Sequence, residues 1–269
     1  MSLLHWVLAP RAYLPQFPEK WGSPPPEFAG CGNARFSALY SDIGPSFYQS
    51  CGPDGESHGW VVREPVGTVW QVPEDVTAIE FPDSCRPVEW LDEEGCKAIW
   101  EQDVKLMRED MKKTTSTRTL FSFLPHEGTG PFLQRRAVFF LYNQQRPIPS
   151  KWGVILHPNG TELADKDHSP TFATWTLEID PGATTLALTR IRATTETFPQ
   201  LLANVLLAAR ECDMNRVEVW NLPKELEDLA HSLKGKTEVR DEHLNAFKWY
   251  GTESSDDVEW LYNEKFCWC

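Results

Sequence analysis

The apolar positions divide the chain into a sparse beginning and a regular remainder. Residues 3–9 are apolar and read as a short helical turn or the end of a longer helix. Nothing caps it, since Ser2 has no Glu or Gln three residues on. Pro10, Pro15, Pro18 and the prolines at 24–26 punctuate residues 10–30. Proline fixes φ and removes a donor, so this stretch is expected to be an extended surface loop. Residues 34–40 (ARFSALY) predict a strand, 41–44 a turn, and 45–51 a short helix opened by Pro45 and stopped by Gly52. Residues 59–63 and 68–72 read as strands flanking a turn at 65–67. From Asp92 the pattern changes, and Trp100, Val104 and Met107 fall at the spacing of a long amphipathic helix.

Residues 114–134 carry no decisive period. Four further strands are predicted at 137–143, 153–156, 173–179 and 184–194, the last two joined by a turn at Pro181 and Gly182. A helix over 198–213, a buried strand over 216–220, a helix over 224–233 and a final strand over 258–266 complete the reading. The layout is β-rich and then helix–strand–helix–strand, an α+β or α/β arrangement with a mixed sheet. The 269 residues allow one large domain or two modest ones.

Charge narrows the function classes. Thirty-nine acidic against 26 basic residues give a net charge of −13, and the excess is spread along the chain. That balance speaks against a nucleic-acid binder and against docking on an anionic membrane. No apolar run approaches a bilayer span. The opening MSLLHWVLAP lacks a basic n-region and a small-residue cleavage site. Seven cysteines without a C-x-x-C pair read as reduced, mostly buried thiols of a cytoplasmic protein. The seven histidines are scattered, so neither a metal site nor a hydrolase triad is expected. Most of the 12 tryptophans, Trp220 and Trp260 among them, are expected in the core.

Three stretches carry a family likeness through their order and spacing: FSALYSDIGPSFYQSCG at 36–52, LLAARECDMNRVEVWNLP at 206–223 and VEWLYNEKFCWC at 258–269. Together they resemble the fungal lysine acetyltransferase family, GNAT-type enzymes with an extra C-terminal domain. The resemblance implies an incomplete GNAT-like lobe over 1–91. It implies a second, mixed-sheet α/β lobe over 92–269 that could itself be a degenerate GNAT-like layer. It implies an N-acetyltransferase with acetyl-CoA as co-substrate, no metal, and the side-chain amine of L-lysine as acceptor, attacking the thioester directly.

The matched positions then take roles by resemblance. Phe36, Ser37, Leu39 and Tyr40 lie on the strand that splays to admit the cofactor. Tyr48 matches the tyrosine that protonates the departing thiolate and also lines the cofactor. A phenol stays protonated at neutral pH and can donate to sulfur as charge develops there. Asp42 and Glu264 are candidate substrate-binding carboxylates. Their bland alternatives are a turn or cap residue for Asp42 and a structural ion pair for Glu264.

The family's R/Q-x-x-G-x-G/A pyrophosphate loop precedes the segment LLHWVLA, and here Met1 falls after it. The nearest copy, at residues 49–54, ends in Asp and closes a helix instead of opening one. The expectation is a truncated product or an incomplete gene reading, inactive as given and exposing an apolar sheet edge. The alternative is a non-catalytic binding or regulatory remnant of the same fold.

Overall fold

The computed structural model describes residues 36–51, 59–126, 128–159, 169–180, 183–250 and 253–268. The expected elements at 3–9 and 10–30 and the turn at 181–182 lie outside these residues. The contacts group the chain into two units that interleave along the sequence. The first comprises residues 1–65, 116–121 and 239–261, and the second residues 66–115, 122–238 and 262–269. Residues 66–91 therefore pack with residues of the C-terminal part of the chain, although the change of pattern falls at Asp92.

The described part of the first unit is built on a three-stranded sheet. Strand β1 (Phe36–Ser41) leads through Gly44 into helix α1 (Pro45–Ser50), and strand β2 (Val61–Val62) comes next. Strand β11 (Leu244–Trp249) returns from far along the chain to lie between them, in the order β1-β11-β2. It pairs antiparallel with all six residues of β1, from Phe36 opposite Trp249 to Ser41 opposite Leu244. A two-stranded parallel ladder joins β5 (Thr119–Phe121) to β12 (Val258–Trp260). Aromatic packing holds this unit together: Phe121 lies 4.5 Å from Phe36, 5.4 Å from Phe247 and 5.3 Å from Trp260, ring centre to ring centre.

The second unit carries a seven-stranded sheet. Its strands are β3 (Val66–Gln71), β4 (Val88–Leu91), β6 (Gly153–Leu156), β7 (Thr171–Asp180), β8 (Ala183–Arg192), β9 (Arg216–Trp220) and β10 (Lys236–Val239). The order is β10-β3-β9-β8-β7-β6-β4. The β8–β9 pair is parallel, joined by helix α4 (Phe198–Glu211), while β3–β9, β4–β6, β6–β7 and β7–β8 are antiparallel. The expected α+β class with a mixed sheet is what the chain adopts.

Helix α2 (Glu93–Lys113) starts where the sequence marks it. The Asp92 carboxylate accepts from the Gly95 amide at 2.8 Å, Glu93 and Glu94 sit in the first turn, and Lys112 and Lys113 in the last. It buries Cys96, Ile99, Trp100, Val104 and Met107. Trp100 donates its indole N–H to Thr174 on β7 at 3.0 Å. Helix α5 (Lys224–Ser232) packs through Leu226 and Ala230.

Three expectations need correcting. The strand expected at 137–143 is the end of helix α3 (Thr129–Asn143). Its β-branched and aromatic run suits a strand locally. However, Leu133, Ala137 and Leu141 recur every four residues and are all buried, while Phe139 and Tyr142 face solvent. Strands β2 and β3 belong to different sheets and do not form a hairpin. The strand expected at 258–266 ends at Trp260, because Tyr262 takes a left-handed backbone (φ 52) and residues 265–267 form a 3-10 turn. Strands β4, β5, β10 and β11 have no counterpart in the reading from sequence, which takes residues 83–91 as a connector.

Candidate functional site

In the first unit, β1 and α1 bring together every candidate residue except Glu264. Successive side chains of β1 point to opposite faces. Phe36 and Tyr40 share the face that meets the aromatic cluster, and Tyr40 lies edge-on to Trp260 at 6.1 Å. Ser37 points the other way and is buried. Its hydroxyl accepts from the Trp60 indole at 2.9 Å and hydrogen-bonds the Tyr250 hydroxyl at 2.8 Å. Leu39 is half-buried. One edge of β1 is filled by β11; along its other edge no strand pairs among the described residues.

Helix α1 begins immediately beyond β1. Gly44 takes φ 88, which a glycine adopts without steric cost, and Pro45 opens the helix. Tyr48 is half-buried in this helix, its ring edge-on to Phe47 at 5.0 Å. The helix is tied down from below. The Trp60 amide donates to the Tyr48 carbonyl at 3.0 Å and the Gly59 amide to the Gln49 carbonyl at 2.9 Å.

Asp42 closes β1. One of its oxygens, Oδ1, accepts from the backbone N–H of His243 at 2.8 Å and lies 2.9 Å from His243 Nδ1. The turn role and an imidazole partner thus coincide in one carboxylate. Scattered histidines gave no sign of this, because the partners are 201 positions apart.

Glu264 falls in the second unit, 3% exposed. One carboxylate oxygen bonds the Arg190 guanidinium and the other accepts from the Ile191 amide at 3.0 Å. Asp103 of α2 completes the group, with Oδ2 2.7 Å from Arg190 Nε and Oδ1 2.6 Å from Arg192 Nε. Arg192 continues to Asp110 at 3.0 Å, which also accepts from the Tyr262 hydroxyl at 3.3 Å. Burial raises the Glu264 carboxyl above its ordinary range, and Arg190 with the Ile191 amide only partly offsets it. Burial opposes charge on Arg190 too, but Glu264 and Asp103 outweigh it and hold the guanidinium pKa above its usual value. Glu264 thus sits in a buried ion-pair network in which Arg190 is its partner.

Among the described residues, Cys96 and Cys267 are buried and Cys51 and Cys85 exposed, so the thiols are less uniformly buried than expected. Trp220 is buried and Trp260 half-buried. Among the described residues no group of three or more His, Cys, Asp or Glu is placed to hold a metal ion, and no helix is long and apolar enough to cross a membrane.

The chain is α+β, with a seven-stranded mixed sheet in its second unit and the β1–α1 segment in its first. The family described as “LYC1 GNAT-like C-terminal domain” matches residues 71–269. The chain belongs to that family. No curated protein matches it. Among solved structures it is similar to a GCN5-related N-acetyltransferase from Anabaena variabilis ATCC 29413, at 12% identity and a TM-score of 0.37, over 84% of this chain. The match spans 53% of that relative, about half its length. Proteins of the GNAT fold generally use acetyl-CoA.

Proposed function

We propose that the protein is an acetyl-CoA-dependent N-acetyltransferase acting on the side-chain amine of L-lysine. The observation that carries the reading is the juxtaposition in the first unit: strand β1 running through Gly44 into the short helix that presents Tyr48. The family match, the resemblance of residues 36–52 and an acidic chain suited to a cationic amine support it.

Acetyl-CoA, when bound, supplies the acetyl group as an activated thioester. The residues that would hold it are gathered on β1 and α1. Phe36, Leu39 and Tyr40 would line it. Ser37 would contribute its backbone, since its hydroxyl is held between Trp60 and Tyr250. Tyr48 would hold the proton destined for the leaving sulfur. Asp42 would favour a substrate ammonium near the end of β1.

The test is acetyl transfer to free L-lysine by the protein expressed from its full gene, read as lysine-dependent release of free thiol. Tyr48→Phe is expected to lower kcat about 100-fold, within the range of general acid catalysis, with KM little changed. No lysine-dependent thiol release would overturn the reading, and an unaffected Tyr48→Phe variant would remove Tyr48 from it.

A further inference from the structure

Strands β8 and β9 run parallel and pair from Thr185 opposite Arg216 to Leu188 opposite Val219. Beyond that point the pairing between them ends, while each keeps its outer neighbour. β8 stays on β7 as far as Arg192, and β9 stays on β3 as far as Trp220. Parallel strands that part in this way leave backbone groups to be satisfied inside the sheet. Segment 262–268 meets them there. The Ile191 amide donates to one Glu264 oxygen at 3.0 Å, and the Arg190 guanidinium bonds the other. The Asn221 side-chain amide, just past the end of β9, donates to the Asn263 carbonyl at 2.6 Å. Lys265 reaches Glu178 on β7 at 2.6 Å and lies over the Trp220 ring at the end of β9. One segment thus holds on to β7, β8 and β9 where the last two part.

The segment is folded as a knob and not as a further strand. The Glu264 amide donates to the Tyr262 carbonyl at 2.8 Å, and the Cys267 amide to the Glu264 carbonyl at 3.0 Å. Residues 263–267 are all buried, and Asn263, Glu264 and Lys265 among them are polar. An apolar knob of the same volume would fill a gap at a lower desolvation cost. The polar one matches polar walls. Arg190 has anchors of its own apart from Glu264: Asp103 Oδ2 lies 2.7 Å from its Nε, and its Nη1 donates to the Ile191 carbonyl at 2.8 Å. A guanidinium held in this way and a backbone N–H, both aimed at one carboxylate, form a cradle for that group.

We propose that the parting of β8 and β9 is a carboxylate-binding site, formed by Arg190 and the Ile191 amide, and that segment 262–268 is its built-in occupant, with Glu264 in the place of a free carboxylate. The second unit is thus ligated by its own chain, and the site stays closed to small carboxylates from solution while Glu264 fills it. The proposal concerns residues other than those of β1 and α1 and stands apart from the acetyltransferase reading. Cutting Glu264 back to alanine removes one CH2 and one carboxylate, the heavy atoms of an acetate ion, and leaves the cradle facing a void of that shape. Acetate is therefore the free ligand that fits it.

The experiment is thermal unfolding of the full chain, as wild type, Glu264→Ala and Glu264→Gln, in rising sodium acetate at neutral pH, with ionic strength held constant by chloride. A ligand that binds only the folded state raises the melting temperature by mass action. Glu264→Ala is expected to melt well below wild type in chloride, because Arg190 loses a buried partner. In acetate it should regain most of that loss along a saturating curve. Wild type and Glu264→Gln, whose side chains fill the cradle, are expected to show no acetate-specific rise. Acetamide, which has the shape without the charge, is expected not to restore Glu264→Ala. A Glu264→Ala variant that gains no more from acetate than wild type does, or gains as much from acetamide, overturns the proposal and leaves Glu264 a structural charge. A Glu264→Ala chain that refolds from urea in neither salt overturns it as well, because a site for free carboxylate would fill from the acetate buffer.

Discussion

Lys265 Nζ lies 2.6 Å from Glu178 Oε1 in a site with no exposure of the lysine, between the rings of Trp220 and Trp268 at 4.0 and 4.1 Å. Burial lowers the lysine pKa, opposed by the Glu178 charge and its hydrogen bond. The ion pair and the two indole faces stand in for the water the ammonium has lost. Removing one member of such a pair leaves the other charge buried, at a cost of about 3–5 kcal/mol, whereas an apolar replacement of similar volume costs far less. Glu178→Ala is therefore expected to destabilise the protein much more than Lys265→Met in denaturant unfolding. Equal losses would mean that the pair is solvated in solution.

Asp103 makes a second prediction by contrast. This one fully buried carboxylate serves both Arg190 and Arg192. Lys234 and Glu80 form an ion pair at 3.4 Å with side chains 81% and 82% exposed. Solvent screening leaves such an exposed pair at about 0–1 kcal/mol. Asp103→Ala is expected to cost about 3–5 kcal/mol, and Lys234→Ala a small fraction of that, in parallel urea titrations. A small loss for Asp103→Ala would show that the arginines find other carboxylates.

These two clusters mark where the sequence stops being legible. Strands β1, β3, β6–β9 and helices α1, α2, α4 and α5 arise from local pattern and punctuation: α2 from its amphipathic spacing, α1 from Pro45 at its start, and β8 and β9 from short apolar runs buried on both faces. Helix α3 does not: residues 137–143 have strand composition, and only the burial of Leu133, Ala137 and Leu141 on one side decides for helix. Glu264 was visible as a charge in an apolar run, but its partner was not, because Arg190 lies 74 positions away. Of the candidate site, Tyr48 and Asp42 were singled out from a continuous motif. His243 was not, because its meeting with Asp42 depends on β11 returning beside β1.

Gly59 sets a third prediction on the candidate site itself. A Cβ at this position would lie 1.9 Å from the Tyr48 carbonyl oxygen and 2.6 Å from that of Gln49, both backbone atoms that no side-chain movement relieves. Gly59→Ala must push α1 away and break the amide bonds from Gly59 and Trp60 to it. The expected outcome is loss of acetyl-CoA binding by calorimetry with only a modest drop in melting temperature, since the seven-stranded sheet of the other unit is untouched. Unchanged binding would place the ligand elsewhere than along β1 and α1.

Cys96 gives a prediction in pH. Burial in α2 pushes its thiol up to about 12 from 9.0, only partly offset by a hydrogen bond with Gln134. The folded protein therefore keeps a proton that the unfolded chain sheds between pH 9.0 and about 12. The pKa is raised on folding, so the stability linked to Cys96 is fully present below pH 9.0 and is lost as pH rises through that window. The decline is at most about 1.4 kcal/mol per pH unit. Unfolding free energies from about pH 8 upward should fall less steeply in Cys96→Ala than in wild type, although that variant starts lower because it leaves a cavity. The same burial predicts thiol reactivity. In the native protein an alkylating reagent should modify the exposed Cys51 and Cys85 well before Cys96, which should react only on unfolding. Alkylation of Cys96 at the rate of Cys85 would mean that α2 opens in the native state.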